Sequence, residues 1–177
     1  MRDSLFIVEN NSKGTDNDHY YIFNINQKIA HSFGEYSEYE IAAREYLNNL
    51  KFYKEKKLNN NFKLLINLGE AVKFLSLSKN PLYEPKSDLL INILKNEIAN
   101  YPVICTEYFI LIINHAIENG QIEKANKNFN TLKSFKIKNE FQDLAIKFIQ
   151  AKFYQEEGKY KLCRDLLLEI KEHNSYN

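Results

Sequence analysis

Phe109 to Phe135, FILIINHAIENGQIEKANKNFNTLKSF, can be laid over Lys147 to Asn174, KFIQAKFYQEEGKYKLCRDLLLEIKEHN. Each stretch is a helical apolar pattern that stops at a glycine, skips one residue to an apolar or aromatic side chain, and resumes three residues later with a small one. Gly120, Ile122 and Ala125 therefore correspond to Gly158, Tyr160 and Cys163. The glycines are 38 residues apart (158 − 120), close to the period of roughly 34 that paired-helix repeats show.

Upstream the same punctuation is weaker. Gly34-Glu35-Tyr36 repeats the glycine, skip, aromatic order, and Ser37 is placed to cap a long helix through EYEIAAREYLNNLKFYKEKK. Asn59 to Asn61 ends that helix, a helix from about Phe62 to Leu77 follows, and Lys79-Asn80-Pro81 breaks the chain again. Pro85 suits the first turn of the next helix, and Tyr101-Pro102 separates it from the two clear pairs. The beginning is ambiguous. Ser4 to Glu9 and Tyr20 to Asn26 flank a polar stretch and read either as a β-hairpin or as an arm followed by a helix, with Ile22, Ile25, Ile29 and Phe33 on one face of the latter.

These elements predict an all-α fold of antiparallel helix pairs in one domain. Residues 1–18 form an arm, followed by pairs over 19–58, 62–99, 102–135 and 139–174, the second being irregular. Five Gly and three Pro supply too few turn residues for an all-β chain.

The last pair resembles the tetratricopeptide repeat family, through Ala151, Tyr154, Gly158 and Tyr160, with Cys163 where that family usually has Ala. In the pair before it Gly120, Ile122, Ala125 and Phe129 follow the pattern, while Ala116 stands where an aromatic is usual. The resemblance is clearest over 102–174. It implies a right-handed solenoid whose first helices line a groove, and it carries Ile110, Asn114, Phe148 and Lys152 over as groove positions for a peptide or protein partner. The carboxylate clamp of the family's chaperone-binding members is not reproduced in these two pairs.

Little in the residues points to catalysis or to a cofactor. His19, His31, His115 and His173 lack the spacing of a helix-borne metal site, and Asp16-Asn17-Asp18 lacks the glycine and distal Glu of a calcium loop. No phosphate-binding glycine loop and no nucleophile elbow occurs. Cys105 and Cys163 both sit in apolar helical patterns and read as buried free thiols.

Lys and Arg total 24 against 23 Asp and Glu, a formal charge of +1, which argues against nucleic acid, including an RNA-contacting repeat, as the main partner. No apolar run approaches the roughly 20 residues that span a bilayer, so the expected location is the cytoplasm. The function that fits is a non-catalytic adaptor. The alternative is a peptide- or metabolite-sensing regulatory module, as part of a larger regulator. In the last helix Cys163, Leu167 and Ile170 form the stripe expected to face the preceding helix. Leu162 and Leu166 form a second stripe, expected to be covered by another copy, by a partner or by the N-terminal segment, unless the natural chain continues.

Overall fold

A computed structural model describes residues 15–135 and 140–174, with the side chains described as far as residue 171. The described residues form eight helices and no strand: α1 (Asp16–Glu35), α2 (Tyr39–Glu55), α3 (Asn61–Leu77), α4 (Tyr83–Glu97), α5 (Pro102–Glu118), α6 (Ile122–Ser134), α7 (Glu140–Glu156) and α8 (Tyr160–Asn174). Within each of two compact units, consecutive helices pack together. The first unit reaches to Pro81 and the second starts at Leu82. The pair expected over 62–99 straddles this boundary, so α3 is described with the first unit and α4 with the second.

In the first unit α2 lies between α1 and α3. Of the two readings of Tyr20 to Asn26, the helical one describes the structure, whereas Ser4 to Glu9 lies outside the described residues. Helix α1 starts where Asp18 accepts hydrogen bonds from the Thr15 amide and hydroxyl, both at 2.9 Å. Those bonds hold the Asp18 carboxyl below its usual range. Helix α3 starts where the Asn60 side chain accepts from the Lys63 amide at 3.0 Å. Phe23 and Ala30 of α1, Ala42, Tyr46 and Leu50 of α2, and Leu65, Leu68 and Val72 of α3 are buried.

Two buried asparagines tie the three helices together. The Asn49 amide donates to the Phe23 carbonyl at 3.1 Å and to Asn67 Oδ1 at 2.8 Å, and the Asn67 amide donates to the Tyr46 carbonyl at 2.8 Å. Nearby, Phe74 of α3 stacks on both Tyr39 and Tyr46 of α2, with ring centroids 6.1 and 5.8 Å apart.

The expectation for Gly34 and Ser37 is corrected. Gly34 lies within α1, not in a turn, and a Cβ placed on it would overlap the Phe74 ring. Its bareness therefore permits a close helix approach. Ser37 does not cap α2. It adopts the left-handed conformation, with φ of 61°, and Glu38 stands at the helix start. Ser37 thus does what Gly120 and Gly158 do, with φ of 69° and 71°. At each of the three, the next residue's amide donates back to a carbonyl five residues earlier: Glu38 to Phe33, Gln121 to Ala116 and Lys159 to Tyr154. Each is followed two residues later by a helix and five residues later by a small side chain: Ala42, Ala125 or Cys163. A third copy of the turn exists, three residues beyond Gly34.

In the second unit α5 is the hub, packing on α4, α6 and α7, while α7 also packs on α8 and touches α6. Pro102 opens α5 at its first position, where a missing amide hydrogen costs nothing. Phe109, Ile112, Ile113 and Ala116 of α5 are buried with Ala125, Phe129 and Leu132 of α6 and Ile149, Ala151 and Phe153 of α7.

Candidate binding face on α5 and α7

Helix α5 buries one side and leaves a row on the other. Ile110, Asn114 and Glu118 follow one another at intervals of four, the spacing that stacks side chains along one helix face. Ile110 and Asn114 are half-buried and Glu118 is exposed. On α7 the corresponding row holds Phe148, which is 37% exposed, and the half-buried Lys152. Lys152 joins the two rows. Its Nζ lies 3.7 Å from Glu118 Oε1 on α5 and 5.5 Å from the Phe148 ring centroid on its own helix.

The four residues carried over as groove positions thus occur on two helices that pack on each other. Asn114 stands one turn before the glutamate that Lys152 reaches. The Asn114 carbonyl oxygen is buried and accepts no hydrogen bond. Glu118 is a further member of this face that the repeat pattern does not single out. Its place four residues after Asn114 was the available signal, but the partner that makes it matter is 34 residues away (152 − 118).

A second polar cluster joins α4 to α5 and α6. Lys124 of α6 pairs with Glu84 of α4 and lies 3.9 Å from Asp88, while the Gln121 amide donates to Glu84 at 3.3 Å. The Lys124 hydrogen bond is the main reason the Glu84 carboxyl is held low. Beside it the rings of Tyr83 and His115 lie 3.8 Å apart. Burial pushes the Tyr83 phenol up and the His115 imidazole down, the latter against the pull of Glu84 and Glu118. This arrangement anchors helices.

Cys105 is buried and free, its thiol pushed up to about 12, chiefly by burial, which leaves it a poor nucleophile at neutral pH. Cys163 is free but only half-buried, so the expectation of two buried thiols fits only Cys105. Among the described residues no group of three or more His, Cys, Asp or Glu is placed to hold a metal ion, and no helix is long and apolar enough to cross a membrane.

The stripes expected on α8 are redistributed. Leu162 is exposed, as a surface residue would be, but Leu166 is half-buried together with Cys163 and Ile170, and Leu167 is exposed. The side facing α7 is therefore 163, 166, 170, with Lys147 of α7 paired to Glu169 of α8 beside it. A stripe at 163, 167, 170 and one at 163, 166, 170 both satisfy helical spacing, and only packing decides between them.

No family model, no curated protein and no solved structure matches this chain. Its own residues carry the argument for what it does.

Proposed function

We propose that this chain is a non-catalytic adaptor of the tetratricopeptide repeat type, holding a peptide or protein partner against the α5 and α7 rows. The observation that carries this reading is the combination on one face of partly exposed Ile110 and Phe148 with the unpartnered Asn114 acceptor. A buried acceptor left without a donor costs about 1–3 kcal/mol. Rotation of the half-buried Asn114 side chain toward a backbone amide of a bound peptide would recover that cost, while the peptide's apolar side chains cover Ile110 and Phe148. The Lys152 and Glu118 pair gives the same face a charged end able to orient the bound chain.

The test is a photo-crosslinking amino acid at position 148, with position 123 on the exposed side of α6 as control. A defined set of polypeptides should crosslink from 148 and not from 123. The Asn114→Ala, Lys152→Ala double variant should lose that set while keeping its circular dichroism. Identical products from both positions, or full retention in the double variant, would refute the reading.

A further inference from the structure

Asn119 is the only asparagine of the chain that is followed by glycine. That pair carries its own chemistry, because the Gly120 nitrogen has no side chain beside it to hinder an attack on Asn119 Cγ. A bond forms between that nitrogen and Cγ, the bond from Cγ to Nδ2 breaks, and Nδ2 leaves as ammonia with the amide proton. Water then opens the cyclic imide at either carbonyl and leaves aspartate or isoaspartate. Asn119, Gly120 and Gln121 are exposed, so water reaches the site.

The closed turn between α5 and α6 holds the reacting atoms apart. At Asn119 ψ is 12°, which sets the Gly120 nitrogen beside the residue's own nitrogen and away from its Cβ. The Gly120 amide donates to the Ile117 carbonyl at 2.9 Å, and Asn119 Nδ2 donates to the His115 carbonyl at 2.7 Å. Both bonds must break before the attack. Beyond the glycine the chain is tied to α4, where Glu84 accepts from the Gln121 side chain at 3.3 Å and pairs with Lys124. We propose that Asn119 is a self-modification site, converted to aspartate and isoaspartate when this turn opens, and that Glu84 sets how often it opens. Aspartate places a carboxylate at the negative end of α5 beside Glu118. Isoaspartate adds a carbon to the backbone loop that the bond from the Gln121 amide to the Ala116 carbonyl closes. Either product loosens the turn further. The site does not depend on what the α5 and α7 rows bind.

The test is to incubate the whole protein at mildly alkaline pH and follow conversion at 119 by peptide mapping with mass spectrometry and by enzymatic methylation of isoaspartate. A synthetic peptide of residues 112–126 supplies the rate without the fold. The wild-type protein should convert about tenfold or more slowly than the peptide, because only the fraction of molecules with an open turn can react. Glu84→Ala, which frees Gln121 and Lys124, should recover about threefold or more of that rate. Phe129→Leu, a change in the buried core of the same unit, controls for general loss of stability and should recover less than Glu84→Ala does. A wild-type rate equal to that of the peptide, no conversion at 119 in Glu84→Ala, or equal rates in Glu84→Ala and Phe129→Leu would each overturn the proposal.

Discussion

The first unit joins all three of its helices through one buried amide network, whereas the second, beside the Lys124–Glu84 pair and the Gln142 bonds, relies most on close packing of small and aromatic residues. Asn49 and Asn67 join α1, α2 and α3 through hydrogen bonds that tolerate little rotation of any of the three. In the second unit the contacts between α5, α6 and α7 rest on Ala116, Ala125 and Ala151, small enough to let helices approach, and on phenylalanines that fill the space between pairs. A directional network is specific and fails abruptly when one member is lost. A packed interface yields by degrees.

The largest effect is expected at Asn67. Replacing it with the similarly sized leucine removes two hydrogen bonds and deprives the buried Asn49 amide of one acceptor, a loss of about 2–4 kcal/mol. The Asn49→Leu, Asn67→Leu double variant removes both ends of the shared bond and should be more stable than Asn67→Leu alone. Denaturant unfolding with amide exchange in α2 and α3 reads both. A double variant that loses the sum of the two single effects would mean that the amides act independently, and the contrast between the units would disappear.

Two glycines qualify the contrast, since the tight steric contact lies in the first unit. Gly34→Ala drives a methyl into the Phe74 ring, itself held between Tyr39 and Tyr46, and should cost about 1–3 kcal/mol. Nothing lies near a Cβ on Gly120, so Gly120→Ala meets only the left-handed backbone penalty of about 1–2 kcal/mol. A compensating Phe74→Leu change should restore part of the stability lost in Gly34→Ala, and thermal melts of the single and double variants test this. Failure of that rescue would indicate that the Gly34 effect is not steric.

The smallest effect is one of pH. Burial depresses the His115 pKa, and the Lys124 contact depresses that of Glu84. A depressed pKa contributes stability that is present above the unfolded value and lost as pH falls through the folded one. The second unit should therefore begin to weaken as pH drops below the ordinary histidine value of 6.5, and again below 4.5 as Glu84 protonates. Amide protection in α4 to α6, corrected for intrinsic exchange, should fall between pH 7 and 5.5 in wild type and less in His115→Gln. An equal fall in both proteins would remove His115 as the cause.

Much of the helix pattern is legible in the residues, because apolar spacing and breaks at Pro102, Gly120 and Gly158 are local signals. Phe62 to Leu77 comes within one residue of the observed α3. The turn at Ser37 was hidden because serine is not a glycine. Its left-handed conformation is imposed by the hydrogen bonds of the helix end, in which the Glu38 amide reaches the Phe33 carbonyl. The asparagine network was hidden for a different reason. Asn67 stands between Ile66 and Leu68 like any polar interruption, and its partners are distant in sequence.

By itself, then, the sequence determined that this chain is helical, where most of its helices break, and which two stretches repeat, since periodicity and turn chemistry act over a few residues. Only tertiary structure decided which turn carries the third copy, which leucines of α8 face α7, and that Lys152 meets Glu118. The last two depend on contacts between residues remote in the chain, whose positions no local spacing constrains, and the first on a local backbone conformation that a serine does not announce.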